Sequence, residues 1–200
     1  MSNGFRHLPG WLDAQAQAAL LADLETVIAR APFYRPVMPR TGKPFSVEMT
    51  NCGPLGWVSD QAGGYRYQAA HPITGTPWPA MPDRLLTLWA EVSNWPGPPE
   101  ACLVNRYRAG ARLGSHADTD EAEPTAPVVS ISLGDDAVFH LGGLRRDHPK
   151  QRMWLRSGDV VVLGGQSRLF YHGVDKVLAG SSQVVPGGGR INLTLRRVTP

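Results

Sequence analysis

With 200 residues, 42% of them hydrophobic and 18% charged, the chain is long enough for one domain with a real core and too apolar for intrinsic disorder. Its 18 prolines and 22 glycines favour a strand-rich, loop-rich fold over a helix bundle. The net charge of +3 permits a phosphate-bearing partner without requiring one.

Met1–Gly10 lacks the apolar stretch of a secretory leader, and no run approaches a membrane span in length. Asp13 to Arg30 predicts an amphipathic helix. Asp13 is the N-cap, and Leu20, Leu21, Leu24, Val27 and Ile28 recur at helical spacing. Pro32, Pro36, Pro39 and Pro44 then interrupt the chain. Cys52 and Cys102 are too few for a disulfide framework and read as reduced thiols of a cytoplasmic protein. Pro82 opens a second helix with Leu85, Leu86, Trp89 and Val92 on its apolar face, and Trp95 to Pro99 ends it.

From Ala101 onward the texture changes to short apolar or alternating runs. These are Cys102–Tyr107, Val128–Leu133, Val138–Leu141, Met153–Leu155, Val160–Leu163, Leu169–His172 and Arg190–Val198, punctuated by glycines. Many short strands with such turns suggest a β-sandwich or jelly roll, with two N-terminal helices packed against a C-terminal β core.

His116-Ala117-Asp118 carries the first chemical signal. On a strand, residues i and i+2 point the same way, so both side chains can reach one ion. His172 follows 54 residues later. Two imidazoles and a carboxylate suit the facial triad that holds Fe(II) and leaves positions open, although zinc hydrolases also use two His and one carboxylate. The second signal is Arg190-Ile-Asn-Leu-Thr-Leu-Arg196. Residues 190, 192, 194 and 196 share one cationic, polar face, and Ile191, Leu193 and Leu195 form an apolar one. Guanidinium groups suit planar carboxylates, whereas the bland alternative is a solvated edge strand. Asn105 and Tyr107 share a strand face and add neutral hydrogen-bonding groups.

In this order, Asn105-x-Tyr107, His116-x-Asp118, His172, Arg190 and Arg196 resemble the signature of the AlkB family of Fe(II)/2-oxoglutarate-dependent nucleic-acid demethylases. The strings Cys102-Leu-Val-Asn-Arg-Tyr107, Ser167-Arg-Leu-Phe-Tyr-His-Gly173, Met49-Thr-Asn-Cys-Gly53 and Pro77-Trp-Pro-Ala-Met-Pro82 strengthen the likeness, which covers Met49 to Arg197. The resemblance implies a mainly β fold with flanking helices, a double-stranded β-helix (jelly roll). It implies a single domain over residues 1–200, with an N-terminal extension and nucleotide-recognition lid about 1–100 and a core about 101–200.

The resemblance further implies that His116, Asp118 and His172 bind Fe(II). Arg190 and Arg196 would grip 2-oxoglutarate with help from Asn105, Tyr107 and Asn192, and O₂ would be the oxidant. Trp57, Tyr65, Asp120 and Arg146 would contact substrate: the aromatics by holding a flipped base against His116, Asp120 by accepting from its exocyclic amine. The expected reaction is oxidative demethylation of 1-methyladenine and 3-methylcytosine in single- or double-stranded DNA by a monomer, with RNA or tRNA as the alternative substrate. A non-catalytic jelly-roll module would not need both the metal set and the arginines, and a zinc hydrolase would leave the arginines without a purpose.

Overall fold

In the computed structural model, which describes residues 4–200, the first helix is α1 (Ala14–Arg30). Residues 1–3, the head of the segment expected to lack a leader, lie outside the described residues. The Asp13 carboxylate accepts from the Ala16 amide at 2.8 Å, satisfying one of the free donors of the first turn. Leu20, Leu24 and Val27 are buried, and Leu21 and Ile28 pack at the margin. The second helix, α2 (Asp83–Val92), starts after Pro82 and buries Leu85, Leu88, Trp89 and Val92; Leu86, expected on that face, is only partly covered. No described helix is long and apolar enough to cross a membrane.

The strands are β1 (Phe5–Leu8), β2 (Glu48–Cys52), β3 (Gly56–Asp60), β4 (Gly64–Gln68), β5 (Ala101–Tyr107), β6 (Leu113–His116), β7 (Val128–Gly134), β8 (Ala137–Leu141), β9 (Gln151–Leu155), β10 (Val160–Leu163), β11 (His172–Val177) and β12 (Arg190–Arg196). They form a six-stranded sheet ordered β1-β10-β7-β12-β5-β2, a four-stranded sheet ordered β6-β11-β8-β9, and the hairpin β3-β4, with every pairing antiparallel. The architecture is mainly β with two helices, as expected.

Three expectations are corrected. The N-terminal half supplies strands as well as helices, and β1 and β2 form the two edges of the large sheet. Leu169–His172 is not a strand: Gly165–Leu169 is a turn of 3₁₀ helix, held by Ser167 Oγ donating to the Gly164 carbonyl at 2.8 Å, and β11 begins at His172. The last strand stops at Arg196, because the Val198 amide turns to the Glu100 carboxylate.

The large sheet separates two cores. On one side Ile191, Leu193 and Leu195 pack with Val104 and Ile131 against α1 and α2. On the other, Leu103, Val161 and Leu163 meet Phe139, Leu141 and Leu155 of the small sheet. Strand β12 lies between β5 and β7 in the interior of the sheet. The edge-strand alternative therefore fails, and the cationic face of β12 points into the space between the two sheets. Cys52 and Cys102 are free, buried and opposite each other on β2 and β5.

Candidate active site

The space between the sheets is a cavity of about 500 Å³. Every residue singled out as a ligand or substrate contact lines it, from His116, Asp118 and His172 at one wall to Arg190, Asn192 and Arg196 at another.

Strand register brings the two imidazoles together, since His116 of β6 lies opposite His172 of β11. Glycine at 173 permits this closeness. A Cβ there would sit 2.6 Å from the Leu113 carbonyl oxygen and 2.9 Å from that of Gly114. The rings are 4.5 Å apart between centroids. Asp118, expected to continue the β6 strand, does not: β6 ends at His116, and Asp118 sits on the irregular segment that follows. Its carboxylate still lies 3.8 Å from Nε2 of each histidine, and the three candidate ligand atoms fall within 4.8 Å of one another. Each Nδ1 donates to a backbone carbonyl, of Gly114 or of Phe170, at 2.9 Å. That fixes the tautomer and leaves both Nε2 atoms free to ligate.

Electrostatics keep this set in its ligating form. Burial pushes the Asp118 carboxyl up, but the Arg196, His172 and His116 charges outweigh it and hold its pKa well below the usual carboxylate range. Burial, reinforced by His116, lowers His172 to about 4, so its ring is neutral at neutral pH. Asp118 Oδ1 accepts from Arg196 Nη2 at 2.9 Å, while the buried Oδ2 has no hydrogen-bond partner. An unpaired, buried carboxylate oxygen facing two imidazole Nε2 atoms fits a divalent metal ion by the chemistry of its donors.

The opposite wall is cationic. Arg190 is 1% exposed, donates to Ser132 Oγ at 2.8 Å, and has an unpaired Nε. Arg196 keeps an unpaired Nη1, and its Nε lies 3.1 Å from Glu121 without hydrogen-bond alignment. Asn105 Oδ1 is also buried and unpaired. Burial pushes the Tyr107 phenol up to about 12 against the opposing pull of Arg190, so it stays a neutral donor. Both Asn192 amide hydrogens are taken by Ser130 and the Ile131 carbonyl. Buried guanidinium donors without acceptors fit a small dicarboxylate.

The β3-β4 hairpin closes the third side. Trp57 stacks on Tyr65 with ring centroids 5.5 Å apart, and its indole N–H donates to Asp120 at 2.8 Å. Arg146 donates to the Ser115 carbonyl and lies 5.0 Å from the Tyr171 ring.

Sequence reasoning gave no role to Arg168, Tyr67 or Glu121. Buried Arg168, on the 3₁₀ turn ahead of His172, donates to the Ala126 carbonyl at 2.7 Å, the Asp118 carbonyl at 2.8 Å and Glu121 at 3.0 Å. Glu121 also accepts from Tyr67. This network ties the irregular segment bearing Asp118 to the one bearing His172. Its signal was an arginine four residues before a metal-ligand candidate, followed by the apolar run Leu169-Phe170-Tyr171.

The family described as the 2OG-Fe(II) oxygenase superfamily matches residues 4–196. The chain is 56% identical over 196 residues to the alpha-ketoglutarate-dependent dioxygenase AlkB homolog of Caulobacter vibrioides, spanning 97% of this chain and 87% of that protein. It is 45% identical over 186 residues to the alpha-ketoglutarate-dependent dioxygenase AlkB of Escherichia coli, spanning 91% and 85%. The solved structure of OsALKBH1 superposes with a TM-score of 0.78 at 28% identity, covering 98% of this chain and 99% of that one.

Proposed function

The chain belongs to the 2OG-Fe(II) oxygenase superfamily, as an AlkB-type dioxygenase that uses Fe(II), 2-oxoglutarate and O₂, and from there we propose that it removes N-methyl groups oxidatively from nucleic-acid bases. One observation carries the reading: a metal-capable triad, two buried arginines with unpaired donors and a stacked aromatic pair all line one cavity. In this reading the two facing sheets are the double-stranded β-helix and the β3-β4 hairpin is the nucleotide-recognition lid. The enzyme works as a cytoplasmic monomer on methylated DNA.

His116, Asp118 and His172 hold the iron, and the bound cofactors supply the oxidation in which 2-oxoglutarate becomes succinate and CO₂ while the methyl carbon takes up oxygen and leaves as formaldehyde. Arg190 and Arg196 bind the carboxylates of 2-oxoglutarate, with Asn105 and Tyr107 as neutral partners and Asn192 bracing the strand between them. Trp57 and Tyr65 cover the base, Asp120 reads its exocyclic amine, and Arg146 meets the strand at the mouth. The test is aerobic incubation with Fe(II), 2-oxoglutarate and single strands carrying 1-methyladenine or 3-methylcytosine, following base mass and succinate. Succinate without demethylation of either base, in DNA or RNA, would overturn the assignment.

Substitutions at two positions probe the roles. Arg190→Ala is expected to weaken 2-oxoglutarate binding by about tenfold or more, since a hydrogen bond to a charged group is worth about 1.5–3 kcal/mol. Arg190→Lys should recover little, because an ammonium cannot reproduce the planar fork. Arg190 is the cleaner probe, as Arg196 is also engaged by Asp118 and Glu121. Unchanged affinity by calorimetry in both variants would rule the contact out.

Trp57→Ala is expected to weaken binding of a methylated strand by about one to two decades, stacking being worth about 1–3 kcal/mol per base, with 2-oxoglutarate binding intact. Because the indole also holds Asp120, Trp57→Phe separates the functions. It keeps the stack but releases the carboxylate, so it should shift the preference between the two bases more than it lowers affinity. Normal kinetics for Trp57→Ala on both bases would make Trp57 a packing residue.

A further inference from the structure

Between Leu144 and Arg156 the chain carries Arg145, Arg146, Lys150, Arg152 and Arg156 against a single acid, Asp147. This short stretch alone exceeds the +3 of the whole protein, so the remainder is net negative. The positive charge is therefore concentrated on β9 and the connection that leads into it from β8.

The geometry of that connection is directional. β8 ends at Leu141, opposite His172, so the connection starts at the cavity. Arg146, within it, lines the cavity. Gln151, the first residue of β9, pairs with Leu141, and the strand then runs away from the mouth. Along β9, Met153 and Leu155 pair with Phe139 and Ala137, where the core of the small sheet lies. Arg152 and Trp154 take the other face, opposite His140 and Val138.

Trp154 is 50% exposed, although an indole gains more from burial than most side chains. On the same face Lys176 of β11 pairs with Val138, one strand beyond Trp154's partner. Two strand spacings, about 10 Å, separate Trp154 from Lys176, and two residues along the strand, about 7 Å, separate it from Arg152. Arg152 is held in place by Asp175, which also accepts from His140. Arg145 is likewise paired, with Asp147. Lys150, Arg156 and Lys176 have no side-chain partner among the described residues and are exposed. An exposed ring flanked by unpaired cations, continuous with the mouth of a catalytic cavity, has the chemistry of a single-strand platform: the ring stacks a base and the cations meet phosphates.

We propose that the outward face of β9 and β8, centred on Trp154 with Lys150, Arg156 and Lys176, binds the single-stranded flank of the nucleic acid whose modified base occupies the cavity. This rests on the nucleic-acid reading of that cavity and assigns it an exosite. The cavity recognises one nucleotide, and the outer face rewards the length of the strand attached to it. Neither the metal set nor the 2-oxoglutarate wall takes part.

The test compares a methylated trinucleotide, too short to reach Trp154, with a methylated single strand of about 16 nucleotides. Trp154→Leu keeps apolar cover over Val138 while removing the π face. It is expected to weaken binding of the long strand about tenfold and to leave the trinucleotide unchanged. Lys150→Ala with Lys176→Ala should make the slope of log affinity against log salt shallower by about 1.4 on the long strand only. Wild-type affinity of Trp154→Leu for the long strand with an unaltered salt slope in the lysine variant overturns the proposal. So does an equal loss on both lengths, which would place the effect in the cavity or the fold. If the unsubstituted protein demethylates neither length, the nucleic-acid reading itself has failed, and that outcome is visible before any variant is made.

Discussion

Alanine at His116, Asp118 or His172 is expected to end succinate production in every case, yet to affect stability unequally. Each residue supplies one of three proposed iron ligands, so any one loss removes a third of the protein's hold on the metal. The surroundings differ. The His116 side chain is 35% exposed and its imidazole bonds only a local carbonyl, so His116→Ala should unfold near the wild-type temperature. Asp118 is the buried counter-ion of Arg196, with both side chains 7% exposed. Asp118→Ala removes the hydrogen-bonded partner of that guanidinium and leaves Glu121 as its one remaining buried acid, and breaking a buried pair from one side costs up to about 3–5 kcal/mol. Asp118→Asn, which keeps an acceptor for Arg196, should recover part of the stability but none of the turnover. Succinate assays and thermal unfolding on the same preparations check both halves. Wild-type-like turnover in any of the three alanine variants would remove that residue from the iron site.

The second large effect is expected at Arg168. Its guanidinium satisfies two backbone carbonyls and one carboxylate at once, all on the segment from Asp118 to Ala126. That segment has no sheet to hold it. Arg168→Ala leaves Glu121 with one fewer cation and two carbonyls unpaired, again a loss of about 3–5 kcal/mol. For a domain of this size that is a fall of roughly 10 °C in unfolding temperature. Arg168→Lys restores the charge but cannot reach three acceptors in a plane, so it should recover only a part. Because the freed segment carries Asp118, Mn(II) affinity should fall together with stability in Arg168→Ala. An unchanged melting temperature would show that the segment is held by other contacts.

The parts legible in the sequence are those where one physical rule acts alone. In Arg190–Arg196 polar and apolar residues alternate without exception, so strand, core face and cavity face could all be read from seven letters. The α1 helix shows the same clarity at period 3.6, with a side-chain cap to mark its start. β2 was hidden because its sequence, Glu-Met-Thr-Asn-Cys, looks polar, yet Thr50 and Asn51 are fully buried. Their side chains bond the Ala31 carbonyl and the backbone of Trp57, and hydropathy does not register a burial made by hydrogen bonds. A strand was expected at His116, but the bounds of β6 were not legible, because Leu-Gly-Ser-His offers one apolar residue to a strand defined by its neighbour β11. Asp118 was rightly grouped with His116, but on the wrong grounds. The i, i+2 rule requires a strand, and what holds Asp118 is an arginine 50 residues further along the chain. Such long-range tethers leave no local period.

Strand β12 occupies the interior of the six-stranded sheet, hydrogen-bonded to β5 and β7 along its whole length, with α1 and α2 covering its apolar side. Amides in such a position exchange with solvent only when the domain as a whole opens. The arginine wall is therefore coupled to the slowest breathing mode of the molecule, while the wall bearing Asp118, without strand pairing beyond His116, belongs to a faster one. The groups that position the proposed metal ligand therefore sit on the wall that costs least to open, and the arginines opposite stay fixed while it does.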